Sequence, residues 1–196
     1  MLYEAINFLS EQLQAYFEGL DAGDILSPAA KVILENIGTL EDTIKAKDDN
    51  CVVMTLVNLA EEATLKNVPS FSRENDMIAY KNPPVFINLF VLFVARMQQY
   101  HQSLLYLSHI LKYFQGKSVF TAQNIPDSKL KISKPAEFRI IVELQSLSFE
   151  QVNYIWSTLG GKQYPFACYK IRLLQLERES TKEARGIITD IQIEEK

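Results

Sequence analysis

Val85-Phe86-Ile87-Asn88-Leu89-Phe90-Val91-Leu92-Phe93-Val94-Ala95-Arg96 is the stretch that decides the fold. Apolar residues run through it almost unbroken, so no periodicity separates an inner face from an outer one. A strand covered on both faces reads this way, and such a strand belongs at the centre of a sheet. Pro83-Pro84 marks where it opens. With Asn88 inside it, the run falls far short of the roughly 20 apolar residues that a membrane-spanning helix needs.

Working outward toward the N-terminus, Ala30–Ile37 and Cys51–Leu59 read as two further strands, split by polar Lys45–Asn50. Lys66–Lys81, with Pro69, Ser70, Ser72, Asn75 and Asp76, reads as a long polar loop and so as a candidate binding element. Leu2, Ile6, Leu9, Leu13, Phe17 and Leu20 recur at helical spacing, one apolar stripe that ends at Asp21-Ala22-Gly23-Asp24.

Toward the C-terminus, Tyr100, Leu104, Leu107, Leu111 and Phe114 form a second stripe, predicted to lie on the sheet, with Gly116 stopping the helix. Ala136–Leu147 reads as a strand. Ser148-Phe149-Glu150-Gln151 is a capping-box pattern opening a third helix, which passes Trp156 and stops at Gly160-Gly161. Pro165–Leu176 is a further strand. After the charged Glu177–Arg185, Ile187–Ile193 reads as the last, with Ile187, Ile191 and Ile193 on one face. Three helices among about six strands predict an α+β fold: a mixed or antiparallel sheet flanked by helices, without the βαβ alternation of a doubly wound sheet.

The 196 residues are 47% hydrophobic and 22% charged, enough for one core without disulfides or metals. A net charge of -4 argues against a general nucleic-acid or anionic-membrane binder. That charge is divided: residues 1–98 hold 14 acids and 7 bases, net -7, and residues 99–196 hold 13 bases and 10 acids, net +3. A dipolar subunit of this kind suits head-to-tail contacts in a ring. No secretory signal is expected, since Glu4 and Glu11 interrupt the first turns, and a cytoplasmic site of folding follows.

Chemistry is sparse. Cys51 and Cys168 sit in apolar runs and are expected as buried free thiols. His101 and His109 are separated by about 12 Å of helical rise, too far to share a metal, and are expected at the helix surface, solvent-facing or hydrogen-bonded. Gly116-Lys117-Ser118 lacks the earlier glycine of a phosphate-binding loop, that position being Leu111. Glu61 and Glu62 are adjacent in a strand and point to opposite faces. Lys129, Lys131 and Lys134 have no interleaved aromatics and read as a solvated loop. No catalytic residue, cofactor or metal is expected, and the chain does not read as an enzyme. Phe71, Tyr80 and Tyr164 fall in loops as candidate partner contacts, with Arg73 beside Phe71.

Four ordered blocks carry a family resemblance: Val57–Asn67 (VNLAEEATLKN), Asn82–Phe93 (NPPVFINLFVLF), Tyr100–Phe120 (YHQSLLYLSHILKYFQGKSVF) and Leu144–Leu173. They resemble the cap, or tail-terminator, proteins of phage-tail-like contractile injection systems, from the first helix to about residue 175. Gln163-Tyr164 stands where that family usually has Lys-Tyr. The resemblance implies a fold similar to phage tail terminators and a structural role. The chain would form a ring, a homohexamer, on the distal end of the inner tube, stop its growth and tie it to the last ring of the sheath. The implied partners are other copies of the chain, the inner tube protein and the sheath protein. The alternatives are a transient assembly adaptor and the sheath-side member of a pair of cap paralogues. Neither nucleic acid nor membrane insertion is implied. Residues 1–178 are expected as the cap domain and 179–196 as an arm. The alternating Ile187, Ile191 and Ile193 suit strand addition to a neighbour's open edge.

Overall fold

The computed structural model describes residues 2–21, 23, 29–39, 50–62, 71–74, 77–81, 85–121, 139–176 and 181–186, with backbone alone in 71–74, 77–81, 173–176 and 181–186. The chain divides into two compact units, residues 1–60 with 88–174, and residues 61–87 with 175–196.

The first unit is built on a six-stranded sheet in the order β1-β2-β5-β8-β7-β6. Its strands are β1 (Lys31–Leu34), β2 (Cys51–Glu61), β5 (Val85–Arg96), β6 (Val119–Thr121), β7 (Arg139–Leu144) and β8 (Phe166–Leu176). The sheet is mixed, because β1 runs parallel to β2 while β7 is antiparallel to both β6 and β8. The central position expected for Val85–Arg96 is where β5 lies. Leu89 and the whole run Val91–Ala95 are fully buried, so both pleats are inside. Short β6 was not foreseen: three residues, Val119–Thr121, carry too little alternation to read.

Helices cover both faces. Helix α1 (Leu2–Glu18) buries Phe8, Leu9, Leu13 and Phe17, the stripe predicted from spacing. Beside it, α2 (Tyr100–Gly116) buries Tyr106, Ile110 and Phe114. Their rings interlock edge to face, Phe17 with Tyr106 at 5.1 Å and Phe93 of β5 with Phe114 at 5.1 Å. Such pairs each contribute about 0.5–1.5 kcal/mol beyond the area they bury. On the other face, Trp156 of α3 (Phe149–Thr158) packs on Cys51, Val53, Leu92, Val94 and Cys168. Phe93 meets α2 while Leu92 and Val94 meet Trp156, as strand alternation requires.

Polar groups at the margins are satisfied locally. The capping box at α3 forms as read: Ser148 Oγ accepts from Gln151 N–H at 3.3 Å, and Gln151 Oε1 accepts from Ser148 N–H at 2.9 Å. Gly160 and Gly161 take φ of 100° and 81°, and Gly161 N–H closes on Trp156 O at 2.7 Å. Along β1, Ala30 N–H donates to the Tyr106 hydroxyl at 2.8 Å and Val32 N–H to Gln14 Oε1 at 2.7 Å. Side chains of the two helices thus occupy donors that an edge strand would otherwise present to another chain.

The second unit holds a three-stranded antiparallel sheet in the order β3-β4-β9, made of β3 (Phe71–Glu74), β4 (Met77–Lys81) and β9 (Thr181–Gly186). This corrects two sequence expectations. Lys66–Lys81 was expected to be irregular, yet it holds a hairpin; its strands, Phe71–Glu74 and Met77–Lys81, are only four and five residues long, too short for an alternation to mark them. Charged Glu177–Arg185 was read as a connector before the last strand, whereas β9 occupies Thr181–Gly186 and pairs with β4. Backbone pairing there overrides a composition that disfavours strands. Ile187, Ile191 and Ile193 lie outside the described residues, as do Lys129, Lys131 and Lys134.

Candidate functional site

Chemical candidates come first. Among the described residues no group of three or more His, Cys, Asp or Glu gathers as for a metal ion. His101 is exposed, but His109 is buried against α1, with Tyr16 Oη 3.4 Å from its Nδ1. The surface position expected for His109 is therefore wrong. Position 109 adjoins Ile110 on the inner side of α2, where a helix turned toward the sheet carries it inside. Cys51 and Cys168 are free, buried thiols. Burial pushes the Cys168 thiol up to about 11, so it stays protonated at neutral pH and is a poor nucleophile.

The surface is more informative. Of the stripe Tyr100, Leu104, Leu107, Leu111 and Phe114 expected to lie on the sheet, Phe114 is buried and Leu107 half-buried, whereas Tyr100, Leu104 and Leu111 are exposed, Tyr100 at 69%. Helix α2 carries two apolar rows at helical spacing, and Ser103, Tyr106, Ile110 and Phe114 form the one that is buried. The two rows differ by a rotation of roughly one residue, about 100° around the axis. A spacing rule alone cannot choose between them, although Tyr106 and Phe114 are the bulkier anchors.

The exposed row leads into a cleft of about 250 Å³. Leu107, Leu111, Leu144, Leu147, Val152 and Phe166 are among the residues that line it. Leu144, at the end of β7, is 58% exposed, and Phe149, the first residue of α3, is 95% exposed. An exposed run of large apolar side chains beside a groove marks a candidate contact surface. Sequence reasoning named none of these as contacts, because helical spacing had assigned the α2 row to the core. The residue that could have been found is Phe149, an aromatic placed directly after the Ser148 cap, where the helix has not yet begun to bury a face.

Of the expected contact residues, Tyr164 is half-buried. Its ring centroid lies 6.2 Å from that of Trp156, and it borders a second, smaller cavity of about 70 Å³ with Arg96 and Lys162. Phe71 and Tyr80 are directly paired across the β3–β4 hairpin, and Arg73 pairs with Ile78. The fold therefore brings Phe71 and Tyr80 together, as strand neighbours instead of loop residues.

Two solved structures are among those that share this fold. One is the sheath/tube terminator, in the extended state, of the extracellular contractile injection system PVC; the match has a TM-score of 0.65 at 14% identity and covers 100% of this chain and 63% of that one. The other is the tube-terminating cap of the anti-feeding prophage; the match has a TM-score of 0.66 at 11% identity and covers 97% of this chain and 60% of that one. The chain thus spans somewhat under two thirds of the length of both. No curated protein sequence matches significantly. The family model described as the Pvc16 N-terminal domain matches residues 4–190, nearly the full length. The chain belongs to the Pvc16 N-terminal domain family.

Proposed function

We propose that this protein is a structural cap of a contractile injection system, forming a ring on the distal end of the inner tube, ending tube growth and joining tube to sheath. The observation that carries this is the fold shared with two tube-terminating caps over 100% and 97% of the chain. The surface supports it: large apolar side chains of α2, β7 and α3 stand exposed, as in a protein that buries them against a partner. A terminator requires unlike contacts on its two ends, and heterologous contacts that close produce a ring. The division of charge, net -7 in residues 1–98 and +3 in 99–196, orients such contacts.

The partners we assign are other copies of the chain, as a homohexamer, together with tube and sheath proteins. No helix of the described residues is long and apolar enough to cross a membrane, which suits a subunit folded in the cytoplasm and assembled into a particle. Within the arm expected over 179–196, β9 pairs with β4 inside the chain, and we assign the arm role to residues 187–196. Deleting the gene from a producing strain and measuring tube lengths tests the proposal. The expected result is a broad length distribution in place of a narrow one; an unchanged distribution contradicts it.

A further inference from the structure

We infer that the small cavity between the end of β5 and the C-terminal turn of α3 is a binding site for a single carboxylate group. This goes beyond the cap reading and does not depend on it. The cavity holds about 70 Å³, several times what one water needs and far below the roughly 300 Å³ of a pocket for a whole small molecule. It has room for a functional group of a few heavy atoms.

Arg96 and Lys162 bring two positive charges to its lining, and no acid stands among the described residues that line it. Strand alternation carries the Arg96 side chain to the side of the sheet where Leu92 and Val94 meet Trp156, and its Nη1 is buried. The C-terminal end of α3 supplies only about half a unit of negative charge, so it does not balance two cations. A guanidinium presents five donors in a planar fork and an ammonium three, so each can take up a carboxylate while keeping another contact.

The walls suit such a group. At a φ of 100°, Gly160 holds a conformation that residues with side chains rarely adopt. A Cβ at Gly38 would sit 3.3 Å from the Leu159 carbonyl oxygen. Both positions thus stay bare, and backbone borders the cavity there. Ile37 and Leu159 give an apolar flank that fits the methylene next to a carboxyl and disfavours a fully charged tetrahedral anion. Ile37 belongs to the cluster around Trp156, and Leu159 and Tyr164 pack against it. Within that cluster the Trp156 indole N–H is buried without an acceptor, one more donor in a corner already rich in them.

Trp156 is the only tryptophan of the chain, so its indole N–H gives one NMR signal that reports on this corner. Sodium acetate added to the full-length chain at neutral pH, against sodium chloride at equal ionic strength, is expected to shift that signal saturably in the millimolar range. Arg96→Gln is expected to weaken the response about tenfold, and Lys162→Gln, at an exposed position outside the core, about threefold. A shift no larger than with chloride, a response unchanged in both variants, or a stronger response to sulfate overturns the site. The carboxylate comes either from an Asp or Glu side chain of a neighbouring protein or from a free molecule. Arg96→Gln in assembled particles separates these sources: a tenfold loss of this chain from particle ends assigns a partner's side chain, and unchanged occupancy assigns a free carboxylate. Particles whose ends lack the unsubstituted chain remove the cap reading and leave the acetate result to decide the site.

Discussion

Helices α1 and α2 are each 17 residues long, and each carries an apolar row that spacing marks as core. In α1 that row is inside, with Leu9, Leu13 and Phe17 fully buried. In α2 three of the five residues so marked, Tyr100, Leu104 and Leu111, are outside, while Phe114 packs inside with Tyr106 and Ile110. The difference teaches that apolar content in this chain exceeds what its own core uses. Leu104 and Leu111 add little to the stability of the isolated chain, and under the cap reading proposed above they are buried on assembly.

The largest effect that tests this contrast lies in α1. Leu13→Ala removes a fully buried side chain and is expected to cost about 2–5 kcal/mol in urea unfolding. Next is the inner row of α2. Tyr106→Phe keeps the ring against Phe17 but deprives the Ala30 N–H of its acceptor, an expected loss of about 1–3 kcal/mol by the same measurement. On the opposite face of the sheet the contrast is sharpened by pH. Burial raises the Cys168 thiol from 9.0 to about 11, so the folded state favours its protonated form. That contribution is complete below pH 9 and is lost as pH rises through about 11, and Cys168→Ala is expected to flatten this part of the stability profile. Smallest is the outer row: Leu104→Ser is expected to change the stability of the isolated chain by no more than about 0.5 kcal/mol. A loss for Leu104→Ser equal to that of Leu13→Ala would break the comparison, placing both rows in one core.

How much of this was legible follows from the same physics. The central strand could be read to the residue, since β5 spans Val85–Arg96, because burial on both faces leaves an unbroken apolar run that few other structures produce. The cap of α3 was legible because Ser148 and Gln151 satisfy each other within one turn, a local event needing no tertiary knowledge. The β3–β4–β9 sheet was not, because its strands are short, β9 is charged, and backbone pairing of this kind leaves little mark on side-chain pattern. The exposed apolar side chains of α2 were not legible for a different reason. Periodicity reports that a helix has an apolar face, and it is silent on whether that face meets the same chain or another one.

Electron cryomicroscopy of the distal tip of an assembled particle tests the central claim most directly. A closed ring of this chain seated on the last tube ring is predicted, with Leu104, Leu111 and Leu144 buried between neighbouring copies. A tube end without this chain, or a ring in which those residues face solvent throughout, would contradict it.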